Sequence, residues 1–153
     1  MANRVSHTLN VGSLGERLVA LGLQAQAWDL LEERWFCSIG ELDLIAIDPS
    51  SGEKVLAFIE VKTRSQKNWD ADGLLAINLR KQRQMSRAAS VYLASHPEYE
   101  NLPCRFDVAL VQVEDGTSPP VIHQNSDFPT LNFGRDRLKL HRYVCNAFEG
   151  LVE

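Results

Sequence analysis

Gly40-Glu41-Leu42-Asp43-Leu44-Ile45-Ala46-Ile47-Asp48 and, a few residues on, Val55-Leu56-Ala57-Phe58-Ile59-Glu60-Val61-Lys62-Thr63-Arg64 form the stretch that decides the fold. Both segments are rich in strand-forming residues. Between them stand Pro49, Ser50, Ser51 and Gly52 with Glu53 and Lys54, a turn-forming run. The pattern predicts a β-hairpin.

Side chains two apart on a strand share a face, so Asp43 is expected beside Glu41, and Glu60 beside Lys62. If the hairpin closes about residues 51 and 52, Asp43 lies opposite Glu60 and Glu41 opposite Lys62. Directly opposed Cβ atoms stand about 5 Å apart. Two carboxylates at that distance repel by roughly 3 kcal/mol at an effective dielectric of about 20. Such a pair needs a counter-charge: a proton, Lys62 or a metal ion.

Oxygen ligands from Asp and Glu suit Mg2+ or Mn2+, which keep several waters and accept phosphate oxygens. A lysine beside such an ion can orient or deprotonate water and neutralise charge developing on a phosphate. This is chemistry for phosphodiester hydrolysis. The spacing alone leaves open a plain hairpin surface with cross-strand Glu–Lys pairs and no chemistry.

Upstream of the hairpin, SLGERLVALGL places Leu14, Leu18 and Leu21 on one helical face, and Ser13 with Glu16 reads as a capping box. Residues 24–37 read as extended. Downstream, NLRKQRQMSRAASVYLASH predicts a helix with Met85, Ala88, Ala89, Tyr92 and Leu93 as its apolar stripe and Pro97 at its end. RFDVALVQVE predicts a further strand. Residues 115–134 carry Asp115-Gly116, Pro119-Pro120, Asn125, Pro129 and Gly134 and read as a loop-rich excursion. The tail RLKLHRYVCNAFEG is apolar enough to fold back on the core, as strand, helix or both.

A net charge of −4 excludes a general nucleic-acid-coating surface, so any such contact must be local. Residues 62–87 offer that locality: Lys62, Arg64, Lys67, Arg80, Lys81, Arg83 and Arg87 stand against only Asp70 and Asp72. Arg80, Arg83 and Arg87 fall on one helical stripe, with Lys81 nearer the apolar side, and Trp69 is placed to stack on a base. An ordinary solvated helix face is the competing reading. Arg135, Arg137, Lys139 and Arg142 form a second, weaker cluster.

Cys37, Cys104 and Cys145 form no CxxC pair and are expected as reduced thiols. His7, His96, His123 and His141 show no ligand spacing. There is no apolar signal-peptide run and no span near the roughly 20 apolar residues of a membrane helix, so a soluble, cytoplasmic protein with no membrane partner is expected.

The quoted strings resemble those of the YraN family of predicted endonuclease-like proteins, and more remotely the archaeal Holliday junction resolvases. The likeness runs through Gly12-x-x-Gly15-Glu16, Gly40 to Ala46, Glu60-Val61-Lys62-Thr63-Arg64-Ser65, Lys81, Arg105-Phe106-Asp107-Val108 and Asn146-Ala147-Phe148. It covers nearly the whole chain outside the excursion, which then looks like an insertion. Leu42 stands where that family usually has isoleucine, and the proline that classically precedes the aspartate is absent.

The resemblance implies the PD-(D/E)xK superfamily and an α/β fold: a restriction-endonuclease-like αβββαβ core, with a mixed central sheet flanked by helices. It implies one domain over residues 1–153. Asp43 and Glu60 become metal ligands with the Val61 carbonyl, Lys62 positions water, and Glu16 completes the acidic cluster. Glu41 is either a supporting acid or a strand-entry charge, and Asp107 a structural one. The implied cofactor is Mg2+ or Mn2+ and the implied partner DNA, with branched or repair intermediates as substrates and a homodimer by analogy with resolvases.

The expected activity is therefore a metal-dependent DNA endonuclease. The alternatives are a catalytically silent nucleic-acid-binding or adaptor protein that retains the nuclease fold, and a purely structural interaction domain.

Overall fold

A computed structural model describes residues 10–50, 52–65, 77–115 and 128–150. Helix α1 (Val11–Ala25) is followed by strands β1 (Asp29–Phe36), β2 (Glu41–Asp48) and β3 (Val55–Ser65), helix α2 (Leu79–Ser95), a 3-10 turn (Pro97–Tyr99), and strands β4 (Cys104–Asp115), β5 (Leu131–Phe133) and β6 (Asp136–Phe148). The order α1-β1-β2-β3-α2-β4 is the expected αβββαβ core. The chain is an α/β protein.

All six strands form one mixed sheet in the order β1-β2-β3-β4-β6-β5. The hairpin closes as its sequence predicts: Leu44 faces Ile59 and Asp48 faces Val55 in an antiparallel ladder. The same register carried one step further sets Asp43 against Glu60. Strand β3 then pairs parallel with β4, the connection running through α2. That places β3 in the middle of the sheet, which is why VLAFIEV reads as a nearly unbroken apolar run.

One helix covers each face. Leu18, Val19 and Leu23 of α1 pack on Leu44, Ala46, Ala57, Ile59 and Val61. On the opposite face Met85, Ala88, Ala89 and Tyr92 of α2 pack on Ile45, Ile47, Leu56 and Phe58. The α2 stripe follows the sequence reading, with Leu93 partly buried against the same cluster.

The reading of α1 needs correction. Asn10, not Ser13, is the N-cap, and its Oδ1 accepts from the Ser13 amide at 2.8 Å. The helix therefore begins three residues earlier, at Val11, and Ser13 lies inside its first turn. Glu16 is free of the capping role assigned to it. The apolar stripe runs through Val11, Leu14, Leu18, Val19 and Leu23 and omits Leu21. Residues 24 and 25, read as extended, still belong to this helix.

Of the excursion, residues 116–127 lie outside the described residues, as do Lys67, Trp69, His7 and His123. Residues 131–133 are strand β5, paired to β6, and the apolar tail is β6 itself, paired along β4.

Candidate functional site

Strict alternation would place Leu42, Leu44 and Ala46 on one face of β2. Instead Leu42 packs with Trp35 and Met85 on the α2 side, whereas Leu44 and Ala46 pack on the α1 side. The face changes at Asp43. The register of β1, with Glu33 on Leu44 and Trp35 on Leu42, sets Arg34 across from Asp43. Arg34 has φ +51, a left-handed conformation uncommon for a side chain of its size. Two adjacent strands thus twist at one point, and the simple two-residue periodicity linking Glu41 to Asp43 does not hold there.

Beyond this twist the β2–β3 backbone pairing stops at Leu44–Ile59, and a side chain takes over. Asp43 Oδ2 accepts from the Val61 amide at 2.9 Å, standing where a β2 carbonyl ordinarily would. The N–H and C=O of one strand residue point toward the same neighbouring strand. The Val61 carbonyl accordingly faces this gap as well.

Glu60 is 4% exposed and lies under two ammonium groups. Lys62 Nζ stands 3.3 Å from its Oε1, and Lys81 Nζ stands 3.6 Å from its Oε2. The second distance is an ion pair without a hydrogen bond, and Glu60 Oε2 is a buried oxygen with no hydrogen-bond partner. Burial, the Glu60 charge and a side-chain hydrogen bond to Glu60 outweigh the Val61 amide and push the Asp43 carboxyl up to about 8. Without a cation, this acid pair holds a proton near neutral pH.

Glu16 reaches the edge of the pair from α1 and contributes to the repulsion on Asp43. Close packing puts it there. A Cβ on Gly15 would lie 2.0 Å from Thr63 Oγ1, so only glycine lets α1 sit this tightly on β3. Arg34 Nε donates to Glu16 Oε2 at 2.8 Å, and Arg34 Nη2 donates to Ser13 Oγ. The bond and charge of Glu16, with weaker fields from Glu41 and Asp43, raise the Arg34 guanidinium further. Glu41 thus lies within the field of this arginine.

Arg34 is the residue that sequence reading missed. Its signal was present, since a charged residue directly across the ladder from Asp43 is a natural counter-ion, but residues 24–37 gave no register from which to see it. Lys81 also moves. Expected among the phosphate-binding residues, though nearer the apolar side than the arginine stripe, it is turned onto Glu60 because Asn78 caps α2 and fixes Lys81 in the first turn.

Arg80, Arg83 and Arg87 are exposed and, with Ile39 and Gln84, line a cavity of about 400 Å³ beside the β1–β2 turn. Arg64 is exposed at the end of β3, bonded to the Thr63 carbonyl. A larger cavity of about 620 Å³ adjoins it, sharing Ile39, Arg83 and Arg87 and reaching Phe58, Leu93 and Phe106, and it holds none of the site's carboxylates.

Asp107 belongs to a separate, structural network. It is fully buried and accepts from Arg105 Nε and Nη2, from the Tyr143 hydroxyl at 2.6 Å and from the Asn146 amide. It fills the register shift between β4 and β6. Arg137 and Lys139 of the second basic cluster both bind Glu114 across that same pair of strands. Among the described residues no three His, Cys, Asp or Glu side chains converge as a ready-made metal cage. What exists is two carboxylates and a backbone carbonyl, all oxygen, with one carboxylate oxygen unsatisfied. That donor set fits a hard divalent cation that retains water.

A mixed sheet between two helices, built in the order αβββαβ with an acid pair where β2 and β3 part, is an α/β architecture of the nuclease-like kind. Residues 15–111 match the Uncharacterised protein family UPF0102. The chain belongs to that family, which is the YraN family of the resemblance above. A UPF0102 protein of Thermosynechococcus vestitus is 50% identical over 139 residues, covering 91% of this chain and 94% of its own. One from Acaryochloris marina is 47% identical over 132 residues, covering 82% and 77%. One from Synechocystis sp. is 40% identical over 151 residues, covering 92% and 99%. No described helix is long and apolar enough to cross a membrane.

Proposed function

We propose that this chain is a divalent-metal-dependent DNA endonuclease that hydrolyses phosphodiester bonds, with branched or repair intermediates as its substrates. The observation that carries this reading is the Asp43–Glu60 pair: two acids held together by the sheet, one protonated near neutral pH, the other with a buried oxygen lacking a hydrogen bond. A fold retains such a pair at a cost in stability unless the charge is used.

Asp43, Glu60 and the Val61 carbonyl would hold Mg2+ or Mn2+. When bound, that ion supplies a polarised water and charge stabilisation at the phosphate. Lys62, on the Glu60 strand and partly exposed, orients the attacking water and, as an ammonium, offsets charge developing on the phosphate. Lys81, on the other oxygen of Glu60, supplies a second positive charge for the phosphate oxygens. Glu16 completes the acidic edge. Arg64, Arg80, Arg83 and Arg87, with Lys67, carry the flanking phosphates, a task that suits a local basic patch on an acidic protein.

The test is cleavage of supercoiled plasmid and of a four-way DNA junction with Mg2+ or Mn2+. Wild-type protein should cut, and Glu60→Ala should lose on the order of a hundredfold or more in rate. Equal cutting by both proteins would assign the activity to a contaminant.

A further inference from the structure

Arg34 stands where an acidic cluster meets the edge strand of the sheet. It lies across the β1–β2 ladder from Asp43, in a left-handed conformation that Asn or Gly adopts more readily than Arg. Its guanidinium binds Glu16 through Nε at 2.8 Å and Ser13 through Nη2, and lies within the fields of Glu41 and Asp43. The Arg34 side chain is 46% exposed, whereas that of Glu16 is 19% exposed. The arginine is the more exposed of the two partners, and the glutamate the more enclosed.

We infer that Arg34 is an internal counter-ion that occupies Glu16 in the cation-free protein and competes with an incoming divalent ion, so that it sets the affinity of the site. The inference rests on the proposed reading of Asp43 and Glu60 as cation ligands. Of the three acids on this edge, Glu16 binds the guanidinium directly, and Glu41 and Asp43 act on it only through their fields. Two lysines already serve Glu60 on the other side. A divalent ion entering beside Asp43 repels the guanidinium and draws Glu16. Arg34 is thus a positioning residue that acts through Glu16 on the cation.

An arginine that merely tied α1 to β1 would share these contacts, but the two roles predict opposite effects of removal. Loss of a structural tie loosens Glu16 and weakens cation binding. Loss of a competing charge strengthens it. The backbone selects the variant: Arg34→Asn is neutral and suits the left-handed φ, so the strand keeps its twist. Arg34→Lys keeps the charge and discards the planar fork.

The experiment is calorimetric titration of MnCl2 into wild type, Arg34→Asn, Arg34→Lys and the double variant Arg34→Asn with Glu16→Gln. Arg34→Asn should bind Mn2+ roughly tenfold more tightly, the size expected for removing one like charge near a divalent ion in a partly solvated site. Arg34→Lys should stay near wild type, and Glu16→Gln should cancel the gain. Thermal melts confirm that each variant is folded. If wild type binds Mn2+ and Arg34→Asn binds it equally or less tightly, Arg34 is only a tie and the inference fails by itself. If no variant and no wild-type sample binds Mn2+, the cation reading of the site fails, and this inference with it.

Discussion

Asp43 Oδ2 lies 2.9 Å from the amide of Val61, so one side chain on β2 closes a gap that the backbone of β2 leaves open. The carboxyl is fixed by β3 before any ligand arrives. Burial first, and then the neighbouring Glu60, make it hard to ionise.

A stability consequence follows from that shift. The folded Asp43 carboxyl is raised from 3.8 to about 8 by burial and by Glu60. Its neutral form is favoured in the native state, so its contribution is complete below the unfolded value and disappears as pH rises through about 8. In the presence of a chelator, wild-type protein should lose stability progressively as pH rises from 3.8 to about 8 and level off above it. Asp43→Asn should lose less, leaving a melting difference of roughly 3 °C or more in its favour at the alkaline end. Parallel melting curves for the two proteins would show that the acid is already ionised at neutral pH.

The same proton marks cation binding. A divalent ion entering the pair at neutral pH must displace the proton held on Asp43. Titration of Mn2+ in buffers of different ionisation enthalpy should reveal close to one proton released per ion. Asp43→Asn should release none. Equal release by the two proteins would place the ion elsewhere.

Arg80 and Arg83 are expected to act on a polyanion without acting on the cation. Each alanine substitution should weaken DNA binding uniformly across sequences and flatten the salt dependence by about one unit of slope per residue. Mn2+ affinity should not change, because both residues line the cavity beside Ile39, while Lys62 and Lys81 are the cations on Glu60. A drop in Mn2+ affinity without a change in salt slope would reassign these arginines to the acidic site.

Arg105 holds two acids at the other end of the sheet, Asp48 and Asp107, with Nη2 at 2.8 Å from Asp48 Oδ2. Burial alone would raise Asp48, but the Ser50 hydroxyl and amide and then Arg105 outweigh it and hold it below its ordinary value. Arg105→Ala strands both carboxylates and should cost about 3–5 kcal/mol in denaturant unfolding. Cation binding by the remaining folded fraction should be unaltered. A cost under about 1 kcal/mol would mean that Asp107 is adequately held by Tyr143 and Asn146 alone.

The hairpin was legible because its turn, its register and its apolar pattern all agree. The opposition of Asp43 and Glu60 follows from counting residues around Ser51 and Gly52, and no tertiary information is needed. The limits of the sequence appear where the backbone leaves regularity. Arg34 in a left-handed conformation changes the facing of β2 at Asp43, and no propensity foretells a left-handed arginine. The start of α1 was misjudged because Ser13 and Glu16 imitate a capping box while Asn10, three residues earlier, makes the bond. Lys81 was grouped with its basic neighbours, since which of four adjacent cationic side chains turns inward depends on the helix start set by Asn78. The tail's identity as β6 required the long-range pairing with β4, which short-range patterns do not encode.

The central claim is that the opening between β2 and β3 is a cation site, and a crystal soaked in Mn2+ tests it most directly. The expected result is one anomalous peak held by the carboxylates of Asp43 and Glu60 beside the Val61 carbonyl, lost in crystals of Glu60→Ala. Crystals that take up Mn2+ elsewhere, with Asp43 still holding its proton beside Glu60, would contradict it.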